Sequence, residues 1–247
     1  MNHPRYQELA AQRLPVPLRG LVECAWRARI PDGGPVHAQR VLPDGCMDLL
    51  LMGDEIVVAG PDTAAHLAEQ APGSVVTGLR FRPGHLPALL ATPAAALRNS
   101  RVPLADLSPR TRRLATVGAG GPGGALAELL AVTARLLRDA DEHGARPALP
   151  GSAVDLLRRG GTVASVADDL GCTTRTLHRH CLDTFGYGPA TVRRVLRFRT
   201  ATELLHAGVP LAETAAAAGY ADQPHLSREV RAMAGVSPGA LAGRADG

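Results

Sequence analysis

The sequence predicts an α+β chain in two parts. An N-terminal antiparallel β-sheet domain with helices comes first. A C-terminal all-α domain follows, with two helix-turn-helix units joined by a long helix. Three observations carry this reading. Short apolar runs alternate up to Arg82, and the period becomes helical beyond Pro83-Gly84. Clusters of Gly, Pro and Asp punctuate the first part as strand turns do. Between Thr162 and Pro238 the same small device is written twice.

Taken in order, Pro4 to Leu14 reads as a short helix, broken by Pro15 and Pro17. Leu21 to Ile30 reads as a strand with Val22, Cys24, Trp26 and Ala28 on one face. Pro31 to Pro35 is a turn, and Val36 to Leu42 can form the return strand. After Pro43-Asp44-Gly45, Cys46 to Met52 and Glu55 to Ala59 form a hairpin across Gly53-Asp54. Ser74 to Arg82 is a further strand, with Val75, Thr77, Leu79 and Phe81 on one face. Leu86 to Leu90 and Pro93 to Asn99 look like short helices. Thr116 to Gly124 is Gly-rich and expected to be flexible. Ala125 to Ala140 is a helix striped by Leu126, Leu129, Leu130, Thr133, Leu136 and Leu137. Residues 1–140 then form the N-terminal domain. Residues 141–150, with Gly144, Pro147 and Pro150, form a linker, and 151–247 form the second domain, opening with Ala153 to Arg159.

The repeat fixes the second domain. Ala167 and Gly171 precede Ala215 and Gly219 by 48 residues. Leu177, Cys181, Gly186 and Pro189 precede Leu226, Val230, Gly235 and Pro238 by 49. A short helix ends at a Gly that can take the left-handed conformation. Four residues earlier a small Ala lets a second helix cross closely. A polar cap, Thr173 or Asp222, opens that second helix. It buries Leu177 and Cys181, or Leu226 and Val230, at i and i+4. This is a helix-turn-helix, whose second helix can lie in a DNA major groove.

Candidate DNA contacts in the first unit are Thr173, Thr174, Arg175, Thr176, His178 and Arg179. In the second they are Asp222, Gln223, Pro224, His225 and Arg228. Arg can pair bidentately with guanine. The second unit can also lean on phosphates, which position without specifying. The plainer alternative for both sets is a solvated helix face. Between the units, Val192, Val195, Leu196, Ala201, Leu204 and Leu205 recur at helical spacing. A helix from Ala190 to His206 spans roughly 25 Å, long enough to hold two heads about one DNA turn, roughly 34 Å, apart. Its Arg193, Arg194 and Arg197 either touch phosphates or make salt bridges to Asp or Glu.

Net charge is a modest +4, and every basic residue is Arg. From residue 151 on, 11 Arg stand against 9 acids, so placement rather than total charge supports DNA as partner. No apolar run reaches the roughly 18 residues of a membrane span, and Met1 to Arg5 open no signal peptide. Four cysteines without CxxC spacing fit reduced thiols in a cytoplasmic protein. Cys24, His37, Cys46 and His66 match no metal-ligand spacing, and no cofactor or metal is expected. No base or oxyanion donor is marked beside Cys46, so no enzyme is expected. The alternative is a DNA-localised enzyme or stress-response protein whose N-terminal domain carries chemistry. Trp26, Cys46 and Asp48 are the candidates for a ligand pocket, although a lone Trp is more often core.

These residues resemble the DNA-binding domain of the AraC/XylS transcription regulators. The matching elements are Leu170-Gly171 with Arg175-Thr176-Leu177 and Arg179, then Arg197-Phe198, Ala201 and Leu204-Leu205. Gly219-Tyr220, Asp222-Gln223 and His225 to Arg228 continue them, and Gly235 to Pro238 close the frame, about 95 residues in all. Cys181, Leu226, Val230 and Leu241 stand where that family often has aromatics, which predicts a smaller core. The resemblance implies a bacterial activator or repressor that reads two adjacent major grooves of double-stranded DNA and can contact RNA polymerase. Leu42 to Leu50 with Gly78 to Gly84 resembles a poorly characterised domain found before such units. In many relatives the N-terminal domain is a cupin-like barrel that senses a small molecule or makes a homodimer. A cupin metal motif is missing here.

Overall fold

The computed structural model describes residues 5–32, 36–115, 124–143 and 149–243. The first element corrects an expectation. Arg5–Ala10 is a strand, β1, not a helix, followed by a 3-10 turn at Ala11–Arg13. β1 pairs along its length with β2 (Val22–Arg29), from Arg5↔Arg29 to Ala10↔Cys24. A free sheet edge offers backbone partners that outweigh a weak helical pattern. β2 also departs from simple alternation. A register shift between Val22 and Cys24 turns Val22 to the opposite face from Cys24, Trp26 and Ala28.

β3 (His37–Val41) does not return to β2; it pairs with β6 (His66–Gln70) in a separate two-stranded ribbon. β4 (Met47–Met52) and β5 (Glu55–Ala59) form the expected hairpin, with Leu49 opposite Val58. β6 (His66–Gln70) has little apolar content for a pattern search to find. β7 (Val75–Phe81) is the strand expected there, and β8 (Arg101–Pro103) is three residues long. The main sheet runs β1-β2-β7-β4-β5-β8 and every pairing in it is antiparallel.

α1 is His85–Leu90, as expected, whereas the segment after Pro93 is only a 3-10 turn, Ala94–Leu97. α2 (Leu104–Leu107) and α3 (Pro109–Leu114) follow. α4 (Gly124–His143) covers the sheet and continues three residues past the expected start of the linker. Residues 116–123 of the Gly-rich stretch and 144–148 of the linker lie outside the described residues. The remaining helices are α5 (Gly151–Arg158), α6 (Val163–Asp169), α7 (Thr174–Phe185) and α8 (Pro189–His206). α9 (Leu211–Ala217), α10 (Gln223–Ala234) and α11 (Pro238–Leu241) follow them.

Two buried cores result. One face of the sheet, with Leu49, Val58, Leu79 and Phe81, packs under Leu86, Leu129, Val132 and Leu136. The second core joins α5 to α11 and begins at Leu149. Cys181, Leu226 and Val230 are fully buried in it. Four aromatics from other positions, Phe185, Tyr187, Phe198 and Tyr220, fill the space beside them. Each aromatic contributes large buried area.

Among the described residues, the sheet-bearing part holds the helical part at the ends of α10 and α7 and on α8. The Arg40 Nη1 donates to the Ala234 carbonyl at 2.7 Å, and the Ala65 N–H donates to the Met233 carbonyl at 2.7 Å. Both satisfy carbonyls at the C-terminal end of α10, which a helix leaves unpaired. At the end of α7, Gly186 takes φ +82°, and a Cβ there would stand 2.7 Å from Pro61 Cγ. On α8, Arg199 pairs with Glu23.

Candidate nucleic-acid interface

Both units fold as their caps and glycines dictate. In the first, Gly171 at φ +61° turns the chain between α6 and α7. The Thr173 Oγ1 accepts the Thr176 N–H at 3.1 Å, and its backbone is extended, as an N-cap requires. Val166, Ala167, Leu177 and Cys181 are buried between the two helices. Thr174, Arg175, His178 and Arg179 are left exposed on one flank of α7, and Thr176 is half-buried. His178 bends back over Gly188, where an added Cβ would lie 2.7 Å from its Nε2.

The second unit repeats this. Gly219 has φ +75°, and the Asp222 Oδ1 accepts the His225 N–H at 2.6 Å. Pro224 occupies the first turn of α10, where a missing donor costs nothing. Gln223, Pro224 and Arg228 are exposed. His225 is half-buried, edge-on to Tyr220 at 5.2 Å, and its Nδ1 accepts the Ala221 N–H at 3.4 Å. Its ring therefore helps hold the turn.

On α8 the structure separates three arginines that the sequence leaves together. Arg194 Nε donates to Glu229 Oε2 of α10 at 2.8 Å. Arg197 lies 3.7 Å from the same oxygen, with its guanidinium 4.5 Å from the centre of the Tyr220 ring. Both lock α8 to the second recognition helix, so the salt-bridge alternative applies to them. Arg193 makes no ion pair among the described residues. No local signal points to Glu229, since the pairing joins residues 35 positions apart.

Of the three pocket candidates of the first part, Cys46 and Asp48 both feel the charge of Arg80. Trp26 and Asp48 share the sheet face away from α4, because Trp26 pairs with Gly78 and Asp48 with Arg80. Trp26 lies flat over Gly78 and stacks on Tyr6 at 6.1 Å. Burial, opposed by Arg80 at 3.4 Å, pushes the Asp48 carboxyl up to about 6. Cys46 instead sits at the junction of the two parts. Its thiol donates to Glu23 Oε2 at 3.4 Å, and Arg199 Nη1 lies 3.4 Å from its sulfur. Burial and Asp44 hold this thiol well above its ordinary pKa, the opposite of what a nucleophile needs. Burial pushes Glu23 up, but the hydrogen bond and charge of Arg199 more than reverse it, leaving that carboxyl below its ordinary value. Sequence reading places Arg199 among the arginines of the connecting helix but misses Glu23 and their pairing. They are 176 positions apart, and neither belongs to a motif. Among the described residues, no group of three His, Cys, Asp or Glu could hold a metal ion, and no helix is long and apolar enough to cross a membrane.

Comparison with protein families agrees with this geometry. Residues 166–244 match a helix-turn-helix domain family, and residues 15–103 match a domain of unknown function, DUF6597. No curated protein matches the chain. Among solved structures, the C-terminal domain of AraT, a response regulator from Geobacillus stearothermophilus, is 25% identical. That match covers 39% of this chain and 87% of the other, with a TM-score of 0.36. An apo variant of ToxT from Vibrio cholerae is 10% identical over 90% of this chain and 97% of its own, with a TM-score of 0.47. ToxT bound to an unsaturated fatty acid is 9% identical over 98% and 97%, with a TM-score of 0.43. With two capped helix-turn-helix units on one connecting helix, the chain is a DNA-binding transcription regulator carrying an AraC-type helix-turn-helix domain behind an N-terminal domain of unknown function.

Proposed function

We propose that α7 and α10 read two adjacent major grooves of double-stranded DNA. Arg175 and Arg179 make base contacts from α7, with Thr174 and His178 beside them. Gln223, Pro224 and Arg228 face the second groove, where phosphate contacts weigh more. Thr173 and Asp222 act as caps that aim backbone N–H groups at the duplex, and Arg194 positions α10 through Glu229. The observation that carries this is the shared polarity of the two helices. In each, one flank of the N-terminal half is exposed, while the C-terminal end is anchored in the sheet-bearing part. Recognition helices enter the groove by their N-terminal residues.

In this reading residues 1–140 form the regulatory domain, 141–150 the linker and 151–247 the DNA-binding domain. The regulatory domain acts on DNA binding through the Glu23–Arg199 contact, in response to a small-molecule effector or a second copy of the chain. RNA polymerase is the further partner, the setting is cytoplasmic, and no enzymatic step is involved. The test is selection of bound sites from a random DNA pool by the full chain. Two half-sites about 10 base pairs apart are expected. Arg175→Ala should cost about 1–3 kcal/mol and relax choice in one half-site, Arg228→Ala in the other. Equal losses on random DNA would refute base reading.

A further inference from the structure

A basic cluster on the helical part takes no role in base reading. The C-terminal ends of α5 and α9 meet the flank of α8 in a cleft of about 350 Å³. Arg158, Arg159, Arg193 and Arg197 line it, beside the small residues Gly160, Ala217 and Gly219, and no acidic residue does. Arg193, Arg197 and Thr200 follow one another at i, i+4 and i+7, one stripe of α8. Arg199, which meets the sheet-bearing part, lies about a third of a turn away from Arg193. The N-terminal part therefore does not engage this stripe through Arg199.

The positive charge here is not matched among the described residues. Arg158 pairs with Asp155, and Arg197 shares Glu229 with Arg194. Arg159 and Arg193 have no ion pair among the described residues. Two helix C-termini supply about half a negative charge each, which leaves roughly one to two positive charges unanswered. Arg197 adds an independent sign. Its Nε is buried and has no hydrogen-bond partner among the described residues, while the guanidinium lies 4.5 Å from the centre of the Tyr220 ring. A buried donor with no acceptor is costly unless something arrives to satisfy it. The volume lies in the range of small-ligand sites, roughly 300–1,000 Å³.

We infer that this cleft is a phosphate-binding site, with Arg159 and Arg193 as its free forks and Arg197 as its fixed one. Guanidinium groups meet phosphate oxygens with two parallel N–H bonds, which favours this anion over a halide. The phosphate comes either from the DNA backbone beside the two half-sites or from a phosphorylated small molecule.

The full chain, the double variant Arg159→Gln/Arg193→Gln and the control Arg13→Gln/Arg29→Gln have matched charge changes in the two variants. Circular dichroism confirms that all three are folded. Pyrophosphate binding is measured by calorimetry at constant ionic strength, and DNA affinity is measured against salt. A free phosphorylated ligand predicts pyrophosphate binding at least tenfold weaker in the cleft variant than in the control, and persisting on DNA-saturated protein. A backbone phosphate predicts a log–log salt slope shallower by about 1 to 2 in the cleft variant alone, with pyrophosphate competing against DNA. If the cleft variant matches the control in both pyrophosphate affinity and salt slope, the site does not exist.

Discussion

Arg199→Ala should uncouple the two parts of the molecule. Arg199 donates to both carboxylate oxygens of Glu23, at 3.1 Å to Oε2, and its Nε donates to Glu203 at 2.9 Å. The Arg199 and Glu23 side chains are 26% and 27% exposed. Breaking a fully buried pair by removing one partner costs about 3–5 kcal/mol, and an exposed pair contributes about 0–1 kcal/mol. Quarter exposure places this loss between them, at about 2 kcal/mol. Trp26 is the sole tryptophan and lies in the sheet-bearing part, so its fluorescence reports that part. Helical circular dichroism is dominated by α5 to α11. In wild type the two urea transitions should coincide. In the variant they should separate by about 1 M, given m near 2 kcal/mol/M for a small domain. The effect also has a pH signature. The Glu23 carboxyl is held below its ordinary 4.5, so the stability it contributes is present above that value and lost as pH falls below it. The gap between wild type and variant should therefore shrink under acid. Coincident transitions in the variant, or a gap of the same size at pH 3.5 and 7, would refute the coupling.

The other expectations are local. Thr173→Ala and Asp222→Ala should each lower stability by about 1 kcal/mol through the lost cap, seen as a drop in Tm; unchanged melting would contradict the cap bonds. Gly186→Ala places a Cβ at φ +82° and 3.1 Å from the Ala94 carbonyl oxygen. It should destabilise by about 1–3 kcal/mol and loosen the end of α7, and a neutral result in urea unfolding would show that this contact yields freely. The Asp48 carboxyl is raised from 3.8 to about 6, so its protonated form favours the fold. That contribution is complete below 3.8 and is lost as pH rises through 6, and Asp48→Asn should abolish the decline in Trp26-monitored stability over that range. Parallel pH profiles for the two proteins would count against it.

The recognition units were legible because their determinants are local. A glycine that must turn left-handed, a cap three residues before its donor and apolar residues four apart all lie within one or two helical turns. Gly171, Gly219, Thr173 and Asp222 occupy the expected positions in both copies. The hairpin of β4 and β5 was legible for the same reason. β1 was misread because its partner strand, not its own pattern, decides its conformation. β3 found β6 rather than β2, a choice between edges that no local pattern encodes.

The sequence by itself determined that two helix-turn-helix units stand in one frame, where each begins, and which side chains their helices carry outward. Only the tertiary structure decided which arginines remain available. Arg194 is taken up by Glu229 and Arg199 by Glu23, Arg197 shares Glu229 at longer range while lining the cleft, and Arg193 is left at the cleft. Spacing along a helix says which residues share a face, and that follows from the backbone period alone. Whether a charge on that face meets an opposite charge depends on what folds against it, from 32 to 176 residues away.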